Sequence, residues 1–128
     1  MNWLDYYNDI FIKKVKDFEE LKQKNTNTET KCKNYIALFN SSCELIKLFL
    51  NYQGLFQYEN REIIKEAFYV ELIEDGERWI NALSLSEIYK TEEKEHFYPL
   101  ILSYCEDDNF YIFYDLINKF EKLKDEYE

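Results

Sequence analysis

The side chains that could carry chemistry are few and widely spaced. The chain has one histidine, His96, and three cysteines, Cys32, Cys43 and Cys105. A histidine titrates near neutral pH, so His96 is the candidate catalytic base. Cys32 and Cys43 lie eleven residues apart on one expected helix, about 16 Å, which is beyond disulfide reach. One histidine with cysteines at these spacings does not form a zinc site, so we expect buried thiols, no metal and no cofactor.

The charge is strongly acidic and unevenly distributed. The chain has 16 Lys and Arg against 26 Asp and Glu, a net charge of −10. Residues 1–34 carry seven lysines and six acidic residues, whereas residues 35–128 carry nine basic and twenty acidic residues. The run Glu92-Glu93-Glu95 indicates a helix start, where the helix dipole favours carboxylates. Because non-specific nucleic-acid binding depends on neutralising phosphates, we expect a basic protein partner or a composite site completed by another chain.

Helices must position these side chains. A length of 128 residues indicates one domain, 1–128, and twelve tyrosines, ten phenylalanines and two tryptophans supply a core. Two glycines and one proline are too few for the turns of a many-stranded sheet. We therefore predict an all-α fold: an antiparallel up-and-down four-helix bundle with a short helical insertion. No apolar run approaches the roughly 18 residues of a membrane span, and the first residues lack a secretory signal, so a cytoplasmic protein is expected.

Apolar residues at steps of three and four define the expected helices. The spans are 3–24, 29–52, 61–70 and 76–83, with a last helix after the acidic turn 106–109. Asn60 and Asp75 are the expected N-caps of the two short helices. Residues 84–91 have an ambiguous pattern. A helix should resume near Glu92 with Pro99 near its middle, where proline is tolerated only in the first turn.

One stretch is more specific than helical periodicity requires. It reads Asn-Arg-Glu-Ile-Ile-Lys-Glu-Ala-Phe over 60–68 and Leu-Ile-Glu-Asp-Gly-Glu-Arg-Trp-Ile-Asn-Ala-Leu over 72–83. It resembles the nucleotidyltransferase substrate-binding proteins, small α-helical members of the HEPN superfamily encoded beside minimal nucleotidyltransferases. Their pattern is roughly Pro-Arg-Glu-Val-hydrophobic-Arg-Glu-Ala-Phe, then Leu-Ile-Asp-Asp-Gly-Glu-x-Trp-Leu-x-x-Leu, and the likeness spans about residues 35–85. The resemblance implies a homodimeric helical subunit that pairs with a minimal nucleotidyltransferase.

The ribonuclease motif of the HEPN superfamily is degenerate in this chain. In Arg-x4–6-His, the imidazole moves a proton from the attacking hydroxyl and the guanidinium steadies the phosphate. Aligned without gaps from the tryptophan of the motif, these positions fall on Ser86 and Thr91, which cannot do that chemistry. A shifted alignment, with an insertion of about four residues, would use Lys90 and His96, with Tyr98 completing His-x-Tyr. Lysine poorly replaces a planar guanidinium, so we expect no catalytic residues. The alternative is a ribonuclease toxin of a toxin–antitoxin pair.

Five residues are candidates for contacts with a partner or ligand: Glu44, Arg61, Glu74, Asp75 and Trp79. Glu44 could face the groove of the degenerate motif, Arg61 could bind a phosphate, and Trp79 could lie at a subunit interface. Each residue also has a structural interpretation: solvated carboxylates at Glu44 and Glu74, a first-turn ion pair at Arg61, an N-cap at Asp75 and core at Trp79. A third alternative is a helical homodimeric interaction module with no nucleotide role.

Overall fold

The computed structural model describes residues 1–24 and 26–127, and all regular secondary structure in these ranges is helical. The elements are α1 (Trp3–Tyr6), a π-helical turn (Tyr7–Phe11), α2 (Ile12–Gln23), α3 (Thr28–Tyr52), α4 (Asn60–Tyr69), α5 (Gly76–Tyr89), a 3₁₀ helix (Lys94–Phe97), α6 (Tyr98–Ser103) and α7 (Asp107–Tyr127). The ranges contain no strand, which confirms the all-α class. Within them, no helix combines the length and the apolar character needed to cross a bilayer.

The first helical rod runs from α1 through the π-helical turn into α2. Trp3, Tyr7, Phe11 and Val15 are all buried and follow one another at steps of four. This spacing is wider than the 3.6 residues of an α-helical turn, so a regular α-helix would rotate the four side chains progressively off one face. The i→i+5 bonding of the π-helix absorbs the difference. The buried stripe therefore begins at Trp3, while Leu4 beside it is only half-buried.

Helix α3 is central to the fold because it contacts the first rod, α4, α5 and α6. Its buried residues lie on more than one face, which lets it pack against several neighbours at once. Aromatic rings join it to the later helices: Phe39 lies 6.0 Å from Trp79, and Tyr35 lies 5.8 Å from Phe113, between ring centroids. These contacts seat the start of α5 and the middle of α7 on one core.

Helix α4 differs from its predicted bounds by one residue at each end, and helix α5 differs only at its C-terminal end. The N-cap of α4 is Glu59, whose side chain makes no capping bond, so the prediction that Asn60 is the cap was wrong by one residue. Asp75 is the N-cap of α5 as predicted, and its side chain accepts a hydrogen bond from the Arg78 backbone N–H at 3.2 Å. Helix α5 continues to Tyr89, well past the expected end at Leu83.

The segment between α5 and α7 also differs from expectation. No helix starts at Glu92; a turn and the 3₁₀ helix come first, and Pro99 is then the second residue of α6. Proline is tolerated there because the first backbone N–H groups of a helix have no intrahelical partner. Helix α7 begins at Asp107, inside the stretch 106–109 that the sequence predicts to be a turn.

Candidate functional site

The candidate interface residues do not lie together. Glu44 is exposed on α3, and its charge acts on Tyr6 and Cys43. Burial, and to a smaller extent the Glu44 charge, raises the pKa of Tyr6, while a hydrogen bond with Ser41 lowers it. Arg61 lies in the first turn of α4 and forms a half-exposed ion pair with Glu87 at 3.8 Å. Neither Glu44 nor Arg61 lines the cleft formed by the other candidates.

Trp79 belongs to the core of the chain. Its side chain is 2 % exposed, and its ring packs against Phe39 and Phe113. An indole so buried offers no surface to a second protein, so the interpretation of Trp79 as an exposed interface residue does not hold for this structure. Its position nevertheless matters, because the buried indole forms part of the floor of the cleft above it.

Glu74 and Asp75 meet α7 at a small cleft, which we call the acidic cleft. Its cavity volume is about 150 Å³. The floor is apolar and includes Leu72, Ile112 and Leu116 in addition to the tryptophan. The rim carries charged residues from the α4–α5 connection and from α7: Glu74, Asp75, Asp115, Lys119 and Lys122. The sequence motif and the last helix therefore share one surface.

Electrostatic repulsion is concentrated at this rim. Partial desolvation raises the pKa of the Asp115 carboxyl, and the neighbouring charges of Glu74 and Asp75 raise it further. Across the described residues, no ion pair within 4.0 Å links Lys119 or Lys122 to Glu74 or Asp115. The same residues contain no group of three or more His, Cys, Asp or Glu side chains arranged to hold a metal ion. Three carboxylates against two lysines give the cleft an acidic excess, which favours a cationic group.

A hydrogen-bond network fixes one side of the cleft. The Tyr111 hydroxyl on α7 donates to the Asp75 carboxylate and accepts a bond from Arg78 Nε at 3.2 Å. The Arg78 guanidinium also donates to Asn109 and lies 3.5 Å from the Asp75 carboxylate. The bond to Asp75 raises the pKa of the Tyr111 hydroxyl, and the bond with Tyr111 raises the pKa of Arg78. Asp75 is therefore held in place by a cap and by α7, while Glu74 beside it is exposed.

Large apolar side chains lie exposed next to the acidic cleft. Phe68, Tyr69 and Val70 are 54 %, 82 % and 41 % exposed, and we call these three residues the apolar shoulder. Two recesses of about 440 and 620 Å³ adjoin it, and both include Phe68 and Glu74 in their lining. The shoulder and the cleft therefore form one continuous surface. Glu74 lines the acidic cleft and also the two recesses beside the shoulder.

The backbone at this surface is strained. Glu71 has a φ of 63°, the left-handed region that favours glycine. The amide of Glu71 bonds to the Phe68 carbonyl at 3.1 Å, and the amide of Leu72 bonds to the Ala67 carbonyl at 2.8 Å. This is the Schellman pattern that ends many helices, usually with glycine in the left-handed position. A glutamate held there stores strain in the segment that carries the exposed side chains.

Lys90, His96 and Tyr98, the residues of the shifted ribonuclease alignment, do not line the acidic cleft. Lys90 is the exposed C-cap of α5, and His96 lies on the 3₁₀ helix with its side chain 82 % exposed and 3.9 Å from Glu93. The Tyr98 hydroxyl is buried and has no hydrogen-bond partner in the described part of the chain, and burial raises the pKa of Tyr98. Arg61 pairs with Glu87, and Arg78 contacts Asp75, Tyr111 and Asn109. Among the residues that the structure describes, neither arginine forms a hydrogen bond or ion pair with His96.

Sequence reasoning missed the α7 residues of the surface, Tyr111, Asp115, Lys119 and Lys122. A helical projection places Asp115, Lys119 and Lys122 on one face at steps of four and three. That spacing is a signal for a shared face, but it does not say which helix packs opposite. The contact with Glu74 depends on how α5 docks against α7.

The resemblance over residues 35–85 stays a prediction from sequence pattern. In comparisons with known proteins, no family model matches this chain and no curated protein matches its sequence.

Proposed function

We propose that this chain is a non-catalytic helical subunit that binds a minimal nucleotidyltransferase through the acidic cleft and the apolar shoulder. The observation that carries the proposal is the exposure of Phe68, Tyr69 and Val70 directly beside a carboxylate-lined cleft. An exposed apolar patch bordered by charged residues is typical of a surface that binds another protein. Two of the rim carboxylates, Glu74 and Asp75, also lie within the stretch that resembles the substrate-binding partners of these enzymes.

The proposed architecture is the up-and-down four-helix bundle of HEPN-like proteins. Its long elements would be the first rod, α3, α5 and α7, and α4 would be the short insertion. Contacts of α3 with the first rod and with α5, and of α5 with α7, support this order. By the same resemblance we propose a homodimer in the cytoplasm, encoded with its enzyme as a two-component pair of the toxin–antitoxin type.

We propose no catalytic role for Lys90, His96 and Tyr98. Within the described residues, the hydrogen bonds and ion pairs of both arginines involve residues other than His96. This supports the view, because a phosphate at His96 would lack a planar cationic clamp. The alternative, a ribonuclease toxin, predicts growth arrest on expression and relief by His96→Ala. Cleavage of RNA by the purified wild-type chain, lost in that variant, would overturn the non-catalytic assignment.

The proposal is tested by co-expression with the nucleotidyltransferase encoded beside this chain, followed by co-purification and light scattering. We expect a stable complex and a dimer of the free chain. Tyr69→Ser should weaken binding by tenfold or more, because a central aromatic contact carries about 2 kcal/mol or more of binding energy. Tyr58→Ser is the matched control, since Tyr58 is 77 % exposed but does not line the cleft or its recesses. No complex, or equal losses in both variants, would refute the proposal.

A further inference from the structure

The recesses around the α4–α5 connection have an excess of carboxylates. The acidic cleft, the two recesses beside the apolar shoulder and a fourth recess of about 480 Å³ are contiguous, because they share Glu71, Leu72, Glu74 and Lys119. Six of the charged residues that line them are acidic and three are lysines. The acidic set is Glu71, Glu74, Asp75, Glu77, Asp115 and Glu126, and the basic set is Lys65, Lys119 and Lys122. The surface is therefore complementary to positive charge.

The size of the acidic cleft limits what can enter it. A volume of about 150 Å³ is well below the roughly 300–1,000 Å³ of pockets that enclose drug-sized ligands. Its rim also carries three carboxylates against two lysines, and this acidic excess disfavours the phosphates of a nucleotide. A single cationic side chain avoids both conflicts. It would pair with Glu74 and Asp115, which have no ion-pair partner in the described chain.

The secondary structure limits the form of the partner segment. The described residues contain no strand, so they offer no sheet edge to which an extended peptide could add. An amphipathic helix can instead lay apolar side chains on the shoulder and direct a basic one, a turn away, into the cleft. The ring of Phe68 provides a platform, since it lies over Gly76 at the start of α5 and still exposes 54 % of its surface.

We infer that the partner segment is a basic amphipathic helix. A lysine or arginine of this helix enters the acidic cleft between Glu74 and Asp115, and its apolar face covers Phe68, Tyr69 and Val70. This inference rests on the proposed function in taking the chain as a binding subunit. It adds the chemistry of the bound segment, and it can be tested without the enzyme.

The test uses the full chain and two synthetic 18-residue amphipathic peptides, one of leucine and lysine and one with glutamate in place of each lysine. Binding is followed by fluorescence anisotropy and by two-dimensional NMR of the ¹⁵N-labelled chain. We expect the lysine peptide to bind and to shift amides within 68–76 and 111–122, with affinity falling as salt is raised. The glutamate peptide should bind at least tenfold more weakly.

Matched variants separate this site from general attraction to an acidic protein. Glu74→Gln with Asp115→Asn should weaken the lysine peptide at least tenfold. Glu20→Gln with Asp9→Asn removes the same two charges from exposed positions on the first rod and should change affinity less than twofold. Absence of binding, amide shifts confined to other helices, or equal effects of the two double variants would overturn the inference.

The outcomes also distinguish this inference from the proposed function. If the peptide binds as described but no nucleotidyltransferase complex forms, the proposed partner is wrong and the chemistry of the surface stands. If the enzyme binds equally well to the Glu74→Gln, Asp115→Asn variant and the peptide does not bind, the basic-helix inference is wrong and the partner stands.

Discussion

Replacing Asp75 tests whether this residue caps α5 and joins it to α7 through Tyr111. Asp75→Ala removes the carboxylate. The Arg78 backbone N–H and the Tyr111 hydroxyl then both lose their hydrogen-bond acceptor. The two donors bond to different oxygens of Asp75: the Arg78 N–H to Oδ1 and the Tyr111 hydroxyl to Oδ2. In Asp75→Asn one oxygen remains to accept the capping bond, while an NH₂ group, which cannot accept from Tyr111, replaces the other. The two variants therefore separate the cap from the bond to Tyr111.

The expected magnitude follows from these contacts. Loss of an N-cap costs about 1 kcal/mol, and loss of a partly exposed side-chain hydrogen bond costs about 1 kcal/mol more. We assign nothing to the Arg78 ion pair, because exposed pairs contribute little. Asp75→Ala should therefore lower the free energy of unfolding by about 2 kcal/mol. Asp75→Asn should lower it by about 1 kcal/mol, since asparagine is also a favoured N-cap and only the bond from Tyr111 is lost.

The assay is equilibrium unfolding in urea, followed by circular dichroism. For a slope of about 2 kcal/mol per molar urea, the midpoint of Asp75→Ala should fall by about 1 M. A double-mutant cycle with Tyr111→Phe should give a coupling energy of about 1 kcal/mol, because the two side chains are in direct contact. A loss below about 0.5 kcal/mol in Asp75→Ala would refute the assignment of Asp75 as a cap joined to α7, since the cap alone costs about 1 kcal/mol. Additive effects in the cycle would refute the link to Tyr111.

Three further predictions concern the backbone, the core and pH. Glu71→Gly should stabilise the chain by about 0.5–1 kcal/mol by relieving the left-handed backbone, while Gly54→Ala (φ +85°, with open space around its Cβ) should destabilise it by a similar amount in the same unfolding assay. Trp79→Ala should cost about 3–5 kcal/mol by leaving a cavity, and near-wild-type stability would contradict its place in the core. Burial raises the pKa of the Cys43 thiol from 9.0 to about 12, so the folded chain keeps this proton to higher pH than the unfolded chain. The resulting stabilisation is complete below pH 9 and is lost towards pH 12, by about 1 kcal/mol at pH 10. Urea midpoints that do not fall at pH 10, or that fall equally in Cys43→Ala, would contradict this prediction.

Local sequence signals predicted the elements whose cause is local. The N-cap at Asp75 and the end of the predicted 29–52 helix, where the structure has Gly54 in the left-handed conformation, each depend on one residue and its immediate neighbours. The 84–89 extension of α5 was ambiguous because its serines are weak helix formers. In the structure, Ser84 and Ser86 donate to the carbonyls of Ile80 and Leu83, which satisfies their hydroxyls inside the helix.

The site itself depends on contacts between distant parts of the chain. Glu74 was a candidate from the motif, but nothing in the sequence placed Asp115, 41 positions later, at the same cleft. The exposure of Tyr69 was also unpredicted. Its surface position follows from the end of α4 at Tyr69, which the left-handed Glu71 terminates, and glutamate is not a residue that usually occupies this left-handed position. Such features arise from tertiary docking, which periodicity does not encode.

The most direct test is hydrogen exchange of the chain, alone and with the minimal nucleotidyltransferase that we propose as its partner. If the α4–α5 connection and the facing side of α7 form the docking surface, the enzyme should slow exchange in residues 68–76 and 111–122. Exchange around Glu44, Arg61 and His96 should be unchanged. Protection confined to those other positions, or no protection anywhere in the chain at saturating enzyme, would contradict the proposed docking surface.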